Sequence, residues 1–246
     1  MTIRVLVSVR SVLEARQVAT GGAQFIDLKE PGQGALGGLP LPVIRNIVAA
    51  LRAMGCRLPV SATIGDVAMD ALDDILQRVR AVGACGVDYV KVGITRTPGA
   101  ATVLGALAGC ALPVVPVFIA DQGVDRAQWQ VALGQGFAGL MVDTADKRAG
   151  SLFDVMTDAQ LAALVAAARS AGVMVGLAGA LRLAHAGRLA ALAPDFAGFR
   201  SAVCDGDRSG TLVPQRLEGL LQALRVAQVQ AQAQVVPAAA TAQAAG

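Results

Sequence analysis

Residues 21–28 read GGAQFIDL, and the pattern recurs as GACGVDYV at 83–90, GQGFAGLM at 134–141 and APDFAGFR at 193–200. In each, a stretch of helical period stops, mostly at glycine. A short linker follows, and an apolar run of strand character begins. That is the helix-to-strand junction of a repeating βα unit. Working outward from these junctions, eight β-rich runs can be marked, at 3–9, 23–30, 59–65, 87–94, 113–120, 138–144, 173–178 and 196–203. Stretches of helical period follow them at 11–20, 42–54, 69–82, 101–108, 125–134, 158–171, 181–192 and 214–229. Ser11 and Thr157 stand where N-caps belong, and Glu14 follows Ser11 by three residues as in a capping box. Gly21, Gly55, Gly83, Gly134 and Gly172 stand where helices should stop. Strand and helix alternating at this length predict a parallel sheet. Eight units in a chain of this size predict an α/β protein, a single-domain (β/α)8 TIM barrel over residues 1–229. No G-x-G-x-x-G follows the first run, which argues against an open dinucleotide-binding sheet. Residues 230–246 are Ala/Gln-rich and uncharged and read as a disordered tail.

Composition excludes several classes of function. Hydrophobic residues make up 54% of the 246, enough for a large core, and the net charge is only +3. Aromatics are 3% and the arginines are scattered, so no basic stripe with stacking rings is available for nucleic acid. No uninterrupted apolar stretch reaches the ~20 residues of a membrane span. The N-terminal MTIRVLVSVR reads as a first strand and not a signal peptide. Cys56, Cys85, Cys110 and Cys204 are widely spaced, with no C-x-x-C, as expected for buried free thiols in a reducing cytoplasm. His185 is the one histidine and lies in a helical pattern, so a zinc site is not expected. The apolar-rich helices would allow self-association, but no interface pattern is legible.

The chemistry is carried by three lysines, set against eighteen arginines. Lys29 in AQFIDLKEP, Lys91 in GVDYVKVG and Lys147 in FAGLMVDTADK each close a strand-like run. Guanidinium stays protonated, whereas an amine can serve as nucleophile or base. Barrel enzymes place their active sites at the C-terminal strand ends, where these lysines fall. Asp27 and Lys29, two apart, share a strand face. Lys91 ends the fourth run, and Asp143 ends the sixth with Lys147 just beyond. All are on even-numbered strands, whose inward side chains share layers, so they should converge. Crowded ammonium groups in a partly dehydrated mouth favour a neutral amine, able to form a Schiff base, while Asp27 and Asp143 hold the others and move protons. The same residues could instead be inter-strand salt bridges. Gly176, Gly179, Ala180, Arg200 and Ser201, at the ends of runs seven and eight, would supply amide and guanidinium donors to a phosphate. For Arg200 a surface salt bridge is the alternative. Ser61, Thr63, Asp66 and Asp121 are further polar strand-end residues.

Across residues 3–212 the segments IDLKEP with GQGALGG, PVSATIGD, DYVKVG, MVDTADK with SLFD, GLAGAL, and FRSAVC with GDRSG occur in order. Together they resemble the (5-formylfuran-3-yl)methyl phosphate synthase family, also called 4-(hydroxymethyl)-2-furancarboxaldehyde phosphate synthase. The resemblance implies a barrel enzyme that joins two molecules of glyceraldehyde 3-phosphate into a phosphorylated furan aldehyde for methanofuran-type cofactors. Phosphate and water are released, and no metal or organic cofactor is needed. It further implies that Lys29 is the Schiff-base lysine, that Lys91 acts in proton transfer, and that Asp27, Asp143 and Lys147 line the same site. Archaeal members carry a further lysine, and this chain has no fourth. The competing expectations are another Schiff-base aldolase of sugar phosphates and, from a different class, a non-catalytic phosphate-binding barrel.

Overall fold

The computed structural model describes residues 2–34, 36–145 and 150–240. Among them, eight parallel strands close into a barrel in sequence order: β1 (Arg4–Val9), β2 (Phe25–Leu28), β3 (Val60–Thr63), β4 (Tyr89–Ile94), β5 (Val114–Ile119), β6 (Gly139–Asp143), β7 (Met174–Leu177) and β8 (Phe196–Phe199). Register closes the ring, with Leu6 opposite Phe25 on one side and Gly198 on the other. The outer helices are α1 (Val12–Thr20), α2 (Leu41–Ala53), α3 (Leu72–Gly83), α4 (Ala100–Ala108), α5 (Arg126–Leu133), the short α6 (Leu152–Val155), α7 (Asp158–Ser170), α8 (Ala186–Leu192) and α9 (Pro214–Ala240). The fold is the (β/α)8 barrel expected. No helix among the described residues is long and apolar enough to cross a membrane.

Strand alternation sorts the core into two bodies. Outward residues such as Val5, Val7, Ile26, Leu28, Val90 and Leu140 meet the helices' Ile44, Ile47, Leu51, Ile75 and Leu161. Both strand faces are thus buried, which is why the strands read as continuous apolar runs. Inward residues form a separate cluster: Leu6, Phe25, Val115, Val117, Met141, Ala178 and Phe196, joined by Leu36 from the β2–α2 loop. This cluster is the floor on which the polar mouth rests. Gly176 belongs to the floor. A Cβ there would lie 2.1 Å from the Phe196 ring, so the glycine exists to admit that ring. Gly176 does not line the cavity at the mouth, where a phosphate role was expected of it.

Arg200, just past β8, is also reassigned. Its guanidinium is buried and all five N–H groups donate to protein oxygens. Nη1 reaches Glu14 Oε2 at 2.7 Å and Ser8 O at 3.1 Å; Nη2 reaches Glu14 Oε1 at 3.0 Å and Gly210 O at 2.9 Å; Nε reaches Arg208 O at 2.9 Å. No donor remains for a ligand. Arg200 instead holds the β8–α9 loop to β1 and α1. Glu14 explains why the expected capping box is only half formed. Ser11 Oγ accepts from Glu14 N at 3.2 Å, but Glu14 Oε2 turns to Arg10 N and to Arg200.

Other boundaries shift locally. Run eight ends at Phe199, and Ser201–Val203 form a 3-10 turn. The stretch 181–192 divides into a 3-10 turn at Leu183–His185 and α8. The helix α6, absent from the sequence reading, is capped by Ser151 and Asp154. Helix α9 continues to Ala240, past residue 230 where an irregular tail was expected, because Ala and Gln are compatible with helix once it is nucleated by the packed turns before it. Residues 241–246 lie outside the described residues.

The Glu14–Arg200 pair generates a prediction. Its side chains are 5% and 8% exposed, so removing one partner strands a buried charge. Glu14→Ala should lower unfolding stability in urea by about 3–5 kcal/mol. An unchanged midpoint and slope would show that the pair does not hold the loop.

Candidate active site

The charged residues converge where alternation and strand parity place them. Ser8, Asp27, Lys29, Lys91 and Asp143 line one cavity at the C-terminal mouth of the barrel, with about 580 Å³ of empty space. Lys91 Nζ stands 3.0 Å from Asp27 Oδ1, and Lys29 Nζ stands 3.3 Å from Asp143 Oδ2. Each lysine thus meets the carboxylate of another strand or a neighbouring layer. Two ammonium groups and two carboxylates form a neutral quartet on three strands.

Asp27 is its most constrained member. Ser61 Oγ donates to Oδ1 at 2.6 Å and Ser8 Oγ to Oδ2 at 3.1 Å. Burial opposes ionisation of this carboxyl, but the charges of Lys91 and Lys29 and the Ser61 hydroxyl outweigh it, holding Asp27 below the ordinary carboxylate range. Asp27 is therefore a fixed anion at neutral pH. Asp143 Oδ1 accepts from its neighbour's amide, Thr144 N, at 2.7 Å, which aims Oδ2 at Lys29. The two amines are not equivalent. Lys29 is 10% exposed at its side chain and Lys91 4%, so Lys29 is the amine better reached from the cavity.

The rest of the mouth is backbone. Gly179 and Ala180 follow β7 in positive-φ conformations, 114° and 45°. A Cβ on Gly179 would press to 2.8 Å from Thr144 Oγ1, so this turn packs directly on the end of β6. Gly179, Ala180 and Ser201 line the cavity as expected. Arg200 also lines the cavity, with its N–H groups donating to protein oxygens, and Gly176 does not line it. Lys147 lies outside the described residues. Thr63 is turned to the β2–α2 loop, where its Oγ1 donates to Gly37 O at 3.0 Å. Asp121 Oδ2 accepts from Ala145 N, linking the β5 and β6 loops.

Three participants escaped the sequence reading. Ser8 is a polar residue two after inward Leu6, so the alternation of β1 already carried that signal. Leu36 reaches from the β2–α2 loop against Gly93, where a Cβ would meet its Cδ1 at 2.6 Å, and so stops one side of the mouth. Arg208 lines the cavity from the β8–α9 loop and donates to Pro31 O and Gly34 O. It stands in the GDRSG segment at 206–210 that supports the family resemblance, but the sequence reading gave it no role. Among the described residues, no cluster of three or more His, Cys, Asp or Glu could hold a metal ion.

Comparison with known proteins places this geometry. Solved structures that share the fold include phosphoribosyl anthranilate isomerase from Thermus thermophilus, at TM-score 0.62 and 17% identity over 91% of this chain and 99% of that one. A 3-hexulose-6-phosphate synthase superposes at TM-score 0.60 and 19% identity, covering 91% of this chain and all of the other. These likenesses are of fold alone. Sequence relatives are far nearer. A Methylorubrum extorquens protein provisionally named (5-formylfuran-3-yl)methyl phosphate synthase is 36% identical, covering 90% of this chain and 92% of its own. The (5-formylfuran-3-yl)methyl phosphate synthase of Archaeoglobus fulgidus is 35% identical over 90% of this chain and 99% of its own. The family model described as 4-HFC-P synthase matches residues 5–221, from β1 into α9. The chain belongs to the 4-HFC-P synthase family, whose relatives are named (5-formylfuran-3-yl)methyl phosphate synthases.

Proposed function

We propose that this enzyme condenses two molecules of glyceraldehyde 3-phosphate into (5-formylfuran-3-yl)methyl phosphate, through a Schiff base on Lys29, as a step towards methanofuran-type cofactors in the cytoplasm. The carrying observation is the pair of crossed contacts Lys29–Asp143 and Lys91–Asp27 in a single mouth. Family membership supports the synthase activity, and the geometry supports the roles.

The chemistry needs an amine that attacks a carbonyl, a group that takes the proton which the iminium acidifies, and anion sites for two phosphates. Lys29, the better-exposed amine, adds to the carbonyl of one triose phosphate, and loss of water gives the iminium. Asp143, 3.3 Å away, is placed to receive and return the proton exchanged at that nitrogen. Lys91, pinned by Asp27, moves protons at the neighbouring carbon. Asp27 stays ionised and keeps the buried charges balanced. The carbanion equivalent attacks the second aldehyde. Elimination of phosphate and closure and aromatisation of the ring lose two waters, and hydrolysis of the iminium, which takes back the water lost in forming it, frees the furan aldehyde and restores the Lys29 amine. Two triose phosphates balance against the product, one phosphate and two waters. The turn at Gly179–Ala180 and the start of the 3-10 turn at Ser201 offer backbone amides to a phosphate.

Incubating the protein with glyceraldehyde 3-phosphate alone should yield the furan aldehyde phosphate by mass spectrometry, with an equal amount of free phosphate. A different condensation product would point to another aldolase. Cyanoborohydride added with substrate should fix its mass on the peptide containing Lys29; labelling at Lys91 or Lys147 would reassign the nucleophile. Lys29→Arg should leave the fold and charge intact while turnover falls by more than ~10³-fold, the scale on which losing a nucleophile acts. Substantial residual turnover would sink the Schiff-base role.

A further inference from the structure

The reaction brings two phosphate dianions into one mouth, and the described cations there are largely committed. Lys29 and Lys91 each face a carboxylate. Arg200 has no donor left. Arg208 differs. It lines the same cavity as Lys29, Gly179 and Ser201. Its Nη2 donates to two carbonyls of the β2–α2 loop, Pro31 O and Gly34 O, while Nε and Nη1 have no acceptor among the described residues. Its main chain is fixed from below. Arg208 O accepts from Arg200 Nε at 2.9 Å, and Asp207 Oδ1 accepts from Ser209 N at 2.7 Å.

From this arrangement we infer that Arg208 is a specificity-determining residue that binds the phosphate of one triose phosphate through a charge-assisted hydrogen bond from Nη1. The inference rests on the triose phosphate reading above. The same guanidinium then touches both substrate and the loop that carries Leu36 across the mouth. A phosphate in place would brace that loop over the reacting carbons, and an unphosphorylated aldehyde would leave it unbraced. The buried pair Arg200–Glu14 acts as the mount, and Arg208 as the contact.

The test compares cyanoborohydride trapping on Lys29 by glyceraldehyde 3-phosphate and by unphosphorylated glyceraldehyde, in the wild type, Arg208→Gln and Arg208→Lys. Circular dichroism would confirm that the variants fold. In Arg208→Gln, the half-saturating concentration of glyceraldehyde 3-phosphate should rise by roughly 10²-fold, the loss expected for charge-assisted hydrogen bonds, while that of glyceraldehyde stays unchanged. Arg208→Lys should fall between, because a point charge cannot serve loop and phosphate together. An equal rise for both aldehydes would make Arg208 a loop fastener and overturn the inference, as would no change for either. If the wild type traps neither aldehyde, the Schiff-base reading fails by itself. Titration with inorganic phosphate then decides Arg208 separately: binding by the wild type that Arg208→Gln loses upholds it, and equal binding by both removes it.

Discussion

Two ammonium groups inside a barrel of aliphatic side chains are tolerable only if each meets a carboxylate there. Desolvating a lone charge costs several kcal/mol, and this requirement organises the upper half of the molecule. It explains why Asp27 and Lys29 share one face of β2, and why Asp143 must end β6 within reach of Lys29. Ser8 and Ser61 supply hydroxyls to a carboxylate that has left water behind. Below this layer Phe25 and Phe196 pack at 5.6 Å over the space Gly176 leaves, with the Arg4 guanidinium over the Phe25 ring. The quartet pairs each lysine with a carboxylate, yet it is asymmetric in access, with Lys29 more exposed than Lys91.

Much of this was legible in the sequence because period-two and period-3.6 patterns survive packing unchanged. The eight strands fall inside the runs marked from sequence, apart from differences of a few residues at their ends. The convergence of Asp27, Lys29, Lys91 and Asp143 followed from alternation and strand parity alone. Pairing was less accessible. Whether Lys29 meets Asp27 or Asp143 depends on the shear of the closed sheet, which no local pattern encodes, and the structure crosses the pairs between strands. Arg200 looked like a phosphate ligand because it ends β8 beside glycine-rich turns. Its occupancy by Glu14 depends on contacts 186 residues away in sequence. Gly176 was ambiguous for a similar reason. A glycine near a strand end can serve a ligand or make room for a ring, and only the position of Phe196 decides.

The mouth is thus built in two tiers. The lower tier is rigid, made of strand-borne side chains whose directions the sheet dictates. The upper tier is made of loops, the Leu36 segment, the Gly179–Ala180 turn and the 205–210 segment, joined to the strands and to one another by packing and by hydrogen bonds. In enzymes generally, groups that need precise geometry are best carried on rigid elements, and loops control access.

The contact between Glu14 and Arg200 has a consequence for biosynthesis of the chain itself. Synthesis runs from the N-terminus, so the first helix emerges with its carboxylate unmatched and waits for almost the whole remaining polypeptide before its partner is made. Until then the ring lacks its last strand, and β1 and β7 present open edges of the kind that invite pairing with other chains. Closure supplies the missing cation, seals both edges and seats the final loop in one event. A nascent barrel of this design remains vulnerable until β8 has been made, and gains its complete mouth only when the two ends of the sheet meet.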